Sequence, residues 1–309
     1  MSPTISLLRP QNSSSQRRQE PTIHPRACNR RKLSVCLRKG DGNLKRFVCI
    51  ITVLVVACWF ISPAKASVFL EDKTWTELRD EVAAGTTTII IPVGGTEQNG
   101  PAMALGKHNF RVKFLAEKIA LKLGNAMVAP TLAYVPEGNV SPPTAHMKFP
   151  GTLTVSDRIF QDMLSWAASS LKHAGFKTIV LIGDHGSYQN DLTAVAERLN
   201  GEWKDGTRVF ADRNYYDISQ NQYVAALKAN GAKESEIGTH AALADTSLML
   251  AIDPSKVRSD KIINGPKLGS ADGVYNGDPK NASAKFGQLG IDLIVNGTVE
   301  AIKKFSATP

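Results

Sequence analysis

The most constraining feature of the sequence is a short apolar run that leads into a polar turn. Ile89–Ile91, followed by Pro92 and Val93, are typical of a buried strand, because β-branched residues favour extended structure. Two glycines then require a sharp turn, Glu97 follows at once, and His108 lies eleven residues further on. A carboxylate and an imidazole just beyond a strand are typical of the edge at which α/β sheets bind ligands. The alternative is a surface loop with a solvated Glu97 and a His108 that caps the next helix.

The remainder of the chain alternates between apolar strands and amphipathic helices. A second continuous apolar run, Lys177–Gly183, predicts a strand that is covered on both faces, as in parallel sheets. The other predicted strands are 86–93, 127–130 and 207–211. Helices are predicted at 75–82, 110–124, 157–174, 191–199, 223–230, 240–252 and 287–305, and loops at 132–154 and 259–285. This alternation predicts an α/β fold, a three-layer α/β/α sandwich with a mostly parallel central sheet.

The second apolar strand also ends in polar residues. Asp184 and His185 follow it directly. Because the carboxyl ends of parallel strands meet at one edge of the sheet, Glu97, His108 and His185 can lie together and bind a metal ion. Asp184 can accept a hydrogen bond from an imidazole N–H, or it can form a turn with its own backbone. The alternative for His185 is a hydrogen bond to a loop carbonyl.

Several segments resemble signatures of the creatininase (creatinine amidohydrolase) family. Pro92–Pro101 resembles Pro-Val-Gly-Ser-Thr-Glu-Gln-His-Gly-Pro, which the family continues as His-Leu-Pro-Leu-Gly-Thr-Asp. Gly183–Gly186 resembles Asn-Gly-His-Gly-Gly-Asn, and Gly238–Ala251 resembles a third signature, His-Ala-Gly-Glu-x-Glu-Thr-Ser-x-Met-Leu. His146–Thr152 resembles the family's His-x-x-Phe-Pro-Gly-Thr. The resemblance covers most of residues 70–260, within a predicted single domain at 67–309.

The third signature implies catalytic roles for His240 and Asp245, as a proton carrier and an acidic site residue. Histidine has the pKa for proton transfer near neutrality. Residues five apart on one helix point about 140° away from each other, so both can face the site only if His240 precedes the helix. The alternative is a helix with a solvated Asp245. Residues expected around the substrate or behind the metal ligands are Asn99, Asp184, His146 and Tyr188.

The sequence departs from the family at several metal-site positions. The family's histidine after Glu-Gln is Asn99, its later histidine is Ala102, and the aspartate that bridges two metal ions in creatininase is His108. The Gly and first Glu of the third signature are Ala242 and Leu243. A neutral amide is a poor zinc ligand, and an imidazole is poorly suited to bridge two ions. We therefore expect one divalent ion per chain, with zinc favoured over manganese or iron, held by Glu97, His108, His185 and water.

The N-terminal part differs in composition from the rest. Residues 1–66 hold twelve Lys/Arg and two acidic residues, whereas the rest holds 25 basic and 26 acidic residues, which argues against a nucleic-acid-binding face. We interpret 1–46 as a disordered basic extension and 47–66, an apolar run ending in Ala64-Lys65-Ala66, as a signal peptide. Cleavage near Ala66 would give a periplasmic or secreted product without a stable membrane anchor. An uncleaved N-terminal anchor is the alternative.

All four cysteines precede the predicted cleavage site, so the remaining chain would contain no disulfide and no thiolate ligand. The expected function is a metal-dependent amidohydrolase, in which metal-activated water attacks an amide or cyclic amide of a small molecule. The alternative is a non-catalytic relative that binds a small molecule or partner in a degraded metal site. The resemblance also implies a homo-oligomer, a hexamer.

Overall fold

The computed structural model describes residues 67–308. The predicted extension at 1–46 and signal peptide at 47–66 lie outside these residues and stay predictions. The strands are β1 (Thr88–Val93), β2 (Ala126–Val128), β3 (Thr178–Gly183), β4 (Arg208–Ala211), β5 (Gly238–His240) and β6 (Tyr275–Gly277). The α-helices are α1 (Trp75–Ala83), α2 (Lys107–Leu123), α3 (Asp157–His173), α4 (Gln189–Glu202), α5 (Arg213–Gln220), α6 (Gln222–Ala229), α7 (Glu234–Ile237), α8 (Leu243–Ile252), α9 (Ser259–Ile263) and α10 (Ala284–Ala307).

Four parallel strands form the central sheet in the order β2-β1-β3-β4. The two long apolar strands, β1 and β3, are adjacent, and their last residues, Val93 and Gly183, are partners. β5 and β6 form a separate antiparallel pair. In the described part of the chain, no helix is long and apolar enough to cross a membrane.

Helices cover both faces of the sheet, because successive strand residues point to opposite faces. Ile90 and Val180 lie in one apolar core together with side chains of α2, α8 and α10. Ile89 and Ile179 lie in the other core, against side chains of α3 and α4. The prediction of a three-layer α/β/α sandwich with a mostly parallel sheet is confirmed.

Two local differences from the sequence-based expectation affect the site. Helix α2 begins at Lys107, after Gly106 at its N-cap, and not at 110, so His108 lies in its first turn and not in a loop. The apolar pattern misplaced this start because the first turn faces polar groups and not a core. The second difference is helix α5, for which no prediction was made and which brings the buried Tyr215 to the sheet edge.

Candidate metal centre and active site

The site lies at the carboxyl edge of the sheet, as the two polar strand ends predict. Glu97 follows β1, and Asp184 and His185 follow β3. The backbone N–H of Asp184 donates to the Val93 carbonyl (3.0 Å), so the two strand ends lie side by side. The long loop between β2 and α3 folds over this edge and contributes Glu137 and His146.

Four side chains offer atoms that could hold one metal ion: Glu97, Glu137, His146 and His185, with those atoms all within 4.8 Å of one another. Nε2 of His146 is 3.2 Å from Oε2 of Glu97, and Nε2 of His185 is 3.4 Å from the same oxygen. Two carboxylates and two imidazoles form a ligand set that zinc and similar divalent ions accept.

The carboxylate oxygens of this group fit a cation. Both oxygens of Glu137 and Oε2 of Glu97 are buried and have no hydrogen-bond partner. Burial and the nearby charge of Glu97 raise the pKa of Glu137 to about 9. Buried polar atoms are costly when they stay unpartnered, and a divalent ion among these oxygens would satisfy them and favour the ionised form of Glu137.

His185 is arranged as a neutral ligand. Burial lowers its pKa to about 3, so the ring is neutral and carries one proton. Ser187 donates its hydroxyl proton to the carbonyl of Pro136 (2.7 Å), and the same hydroxyl lies 2.8 Å from Nδ1 of His185. The backbone N–H of Ser187 also donates to Nδ1 (3.2 Å), so both tautomers of the neutral ring have a partner at Nδ1. Binding of a metal ion at Nε2 would require the proton on Nδ1, where the hydroxyl of Ser187 can accept it.

Gly95 makes room for Glu137. Its φ of +150° favours glycine, and a Cβ at this position would lie only 2.8 Å from Oε1 of Glu137. The family signature quoted above has serine at this position. A side chain there would collide with Glu137, so glycine allows this additional carboxylate to enter the site.

His108 lies outside the group that could hold a metal ion. Its Nδ1 is 2.6 Å from Oδ2 of Asp184, and its Nε2 is 2.7 Å from Oε1 of Glu97. Nη2 of Arg111 also lies 3.2 Å from Nδ1, so both ring nitrogens already contact charged side chains of this chain. Of the predicted ligands, the structure brings Glu97 and His185 together. The other two members of the group are His146 and Glu137, and His108 is not among them.

Asp245, predicted to be catalytic, pairs with two cations from the start of α2. Oδ2 accepts from Nζ of Lys107 (2.9 Å) and from the backbone N–H of Ala241 (2.9 Å), and Oδ1 accepts from Nη1 of Arg111 (2.6 Å). Burial alone would raise the pKa of Asp245, but Lys107 and Arg111 lower it well below its usual range. Asp245 is therefore ionised, and its side chain is 18% exposed.

Asp184 also contacts side chains of helix α2. Its Oδ2 accepts from Nε of Arg111 (2.7 Å) and from Nδ1 of His108, and its Oδ1 accepts from the hydroxyl of Tyr215 (2.8 Å). Its pKa is lowered, because the charge of Arg111 and these hydrogen bonds outweigh the effect of burial. The position behind an imidazole expected for Asp184 is thus present, and the imidazole is that of His108.

His240 meets the geometric condition stated above, because it ends β5 and α8 begins only at Leu243. Its Nε2 donates to the backbone carbonyl of Gln98 (2.9 Å), and its Nδ1 lies 3.6 Å from Oε1 of Glu97. Burial and the charge of Lys107 lower its pKa to about 3, so the ring is neutral and Nδ1 can accept a proton.

Asn99 and Tyr188 shape the loops that carry the site. Nδ2 of Asn99 donates to the carbonyls of Glu97 (2.9 Å) and Ala104 (3.1 Å), which fixes the turn behind Glu97. The buried hydroxyl of Tyr188 donates to the carbonyl of Val93 (2.9 Å) and accepts from the backbone N–H groups that follow β3. Both residues act on the backbone of the site.

Sequence reasoning missed Glu137, Lys107 and Arg111. Glu137 lies in the loop at 132–154, whose length alone indicated a function. Lys107, His108 and Arg111 are spaced so that they share one helix face, a signal that only the correct helix start makes visible.

Comparison with known proteins places this chain in a family. A family model described as creatinine amidohydrolase (Creatininase) matches residues 71–302. The chain is 29% identical to the 3-dehydro-scyllo-inosose hydrolase of Thermotoga maritima over 188 residues, which are 60% of this chain and 57% of that protein. It is 26% identical to the creatinine amidohydrolase of Pseudomonas putida over 259 residues, with 77% of this chain and 97% of that one covered. The mycofactocin precursor peptide peptidase of Mycolicibacterium smegmatis is 25% identical over 239 residues, which cover 70% of this chain and 85% of that one.

Solved structures agree on the fold. A crystal structure of creatinine amidohydrolase superposes with a TM-score of 0.65 at 23% identity, covering 79% of this chain and 100% of that one. Two further creatininase structures, described as "Creatininase Mn" and as a variant of "Zn-Zn type", each give a TM-score of 0.64. The family model spans most of the chain, and the relatives named above are hydrolases. The resemblance predicted from the signatures is therefore confirmed, and this chain belongs to the creatininase family.

Proposed function

We propose that this protein is a metal-dependent amidohydrolase that holds one divalent ion, with zinc favoured, among Glu97, Glu137, His146 and His185. The observation that carries the proposal is the group of unpartnered, buried oxygens of Glu97 and Glu137, which face two imidazoles. Without a cation, a proton that Glu137 shares with Glu97 is the partner available to these oxygens, and a divalent ion would take its place.

A divalent ion in such a site acidifies water and polarises a carbonyl oxygen. The side chains of this chain supply the remaining functions. His240 is neutral, its Nε2–H is fixed on the carbonyl of Gln98, and its free Nδ1 lies beside Glu97. We therefore assign to His240 the uptake at Nδ1 of the proton released by the attacking water, followed by transfer of that proton to the leaving nitrogen. Asp245 is already bound to two cations, so we assign it the positioning of Lys107 and Arg111 and not a proton transfer.

The proposed reaction is hydrolysis of a C–N bond in an amide or cyclic amide of a small molecule. The names of the relatives support a hydrolase, but those proteins act on unlike compounds, and the proposal extends only to the bond type. A homo-oligomer, a hexamer by family resemblance, remains part of the proposal. Export with cleavage near Ala66 also remains a proposal, supported by the composition of residues 47–66.

The experiment that tests this function combines metal analysis with hydrolysis. The purified protein, dialysed against metal-free buffer and then supplied with zinc, should retain about one ion per chain. Glu137→Gln should lose this retention, whereas Glu300→Gln, on the exposed side of α10, should keep it. A panel of linear and cyclic amides should show zinc-dependent hydrolysis that a chelator abolishes.

Two results would contradict the proposal. Zinc retention near zero would favour the non-catalytic alternative, a binding protein with a degraded site. Hydrolysis that continues unchanged in the presence of a chelator would show that the reaction does not depend on the metal.

A further inference from the structure

We propose that the ammonium group of Lys107 takes the place of a second metal ion, so that the site combines one exchangeable divalent ion with one cation built into the chain. This inference rests on the proposed metal-dependent function. It concerns the side of Glu97 that faces away from the ligand group described above.

The two oxygens of Glu97 face different partners. Oε2 is directed toward His146 and His185, in the group that could hold a metal ion. Oε1 is 3.5 Å from Nζ of Lys107 and 2.7 Å from Nε2 of His108. One buried carboxylate therefore stands between a candidate ion site and a fixed cation, as a carboxylate shared by two neighbouring ions would.

The ammonium of Lys107 is buried and contacts two carboxylates. The side chain is only 1% exposed, and lysine is seldom so fully buried unless it is paired. Nζ lies 2.9 Å from Oδ2 of Asp245 and 3.5 Å from Oε1 of Glu97. Nδ1 of His240 is 3.6 Å from the same oxygen of Glu97. Two carboxylates thus contact the ammonium, and an imidazole nitrogen lies beside one of them; such donors also form a common divalent-metal site.

The carboxylates of the described residues around this position already have partners in the chain. Glu97, Asp184 and Asp245 contact the side chains of Lys107, His108 and Arg111, all from the first turns of α2. A further divalent ion would add two positive charges beside the ammonium, where burial weakens screening. Occupation by Lys107 and by a second ion are therefore mutually exclusive.

The test measures metal stoichiometry and not activity. The purified wild-type protein, equilibrated with excess zinc and desalted, should contain about one ion per chain. In Lys107→Ala, the oxygens of Glu97 and Asp245 lose their ammonium partner, and zinc titration by calorimetry should show an additional site, with a ratio of about two. Adding Asp245→Asn to that variant should remove the second site, and Lys113→Ala, an exposed lysine of the same helix, should stay at about one.

The possible outcomes separate this inference from the proposed function. A wild-type ratio near two would overturn the inference and leave the metal-dependent function intact. Ratios near one in both the wild type and a folded Lys107→Ala would also overturn the inference alone. A wild-type ratio near zero would overturn both. If Lys107→Ala does not fold, Lys107→Met keeps the apolar stem of the side chain, and the wild-type ratio at saturating zinc remains decisive.

Discussion

Asp212 should make the protein less stable as the pH rises through neutrality. The side chain follows β4 and is 2% exposed; the backbone N–H of Asn214 donates to its Oδ1 (3.1 Å), and its Oδ2 has no partner. Burial raises its pKa from 3.8 to about 7. Between these values the native carboxyl keeps a proton that the unfolded chain has already released. Stability therefore falls with increasing pH across this range, and the loss is complete above about pH 8.

The size of the effect follows from the shift in pKa. Three units at about 1.36 kcal/mol each give an upper bound of about 4 kcal/mol, and relaxation toward water should reduce the measured value to about 1–3 kcal/mol. Asp212→Asn keeps the oxygen that caps α5 but cannot ionise. The variant should gain stability relative to the wild type from about pH 3.8 upward, and roughly 60% of the full difference should develop between pH 5 and pH 8.5.

The assay is urea unfolding of both proteins from pH 5 to 8.5 with a chelator present, which removes the contribution of bound metal. The difference between the two curves cancels groups that titrate in both proteins. Asp292→Asn, an exposed aspartate on α10, is the matched control and should show no pH-dependent difference. Parallel pH profiles for Asp212→Asn and the wild type would refute the reasoning, because they would show that ionisation of the buried carboxyl does not lower the stability of the native protein.

Three further predictions address the site and the N-terminus. Gly95→Ala places a methyl group against Glu137 and should weaken zinc binding by about 10- to 100-fold, measured by competition with a chelator. The control variant, Gly201→Ala, has open space around the new methyl group and should bind zinc like the wild type. Equal zinc affinities of Gly95→Ala and the wild type would show that Glu137 is not a ligand. His240→Ala should lower the hydrolysis rate by roughly two to four orders of magnitude while zinc stays bound, and loss of zinc in that variant would make it a ligand instead. N-terminal sequencing of the exported protein should begin at Ser67; a chain that begins at Met1 and stays in the membrane fraction would exclude cleavage.

The local sequence was sufficient to predict the two strands that carry the site. The apolar runs that became β1 and β3 could be recognised from composition alone, because strands of a covered parallel sheet need apolar side chains on both faces. Their polar ends then placed Glu97 and His185 at one edge, and the structure shows them there. For His240 the sequence supplied only a condition, that it precede the helix if it and Asp245 both face the site. The predicted helix at 240–252 included His240, and the structure begins α8 at Leu243.

Only the tertiary structure decided which groups meet at that edge. Glu137 enters the site from a loop whose path no local pattern specifies. Spacing indicated that His108 is near the site, but whether its ring nitrogens are available to a metal depends on their other contacts. Here these include Glu97, on the preceding loop, and Asp184, 76 residues further along the chain. Lys107 showed the same limit, because a lysine at a helix start is normally solvated, and its burial against Asp245 depends on contacts across 138 residues of sequence. The sequence by itself determined the fold and the edge that carries the chemistry, since both depend on local apolar patterning. Which side chains meet Glu97, the candidate metal ligands on one side and Lys107 on the other, depends on long-range contacts, and the tertiary structure alone determines it.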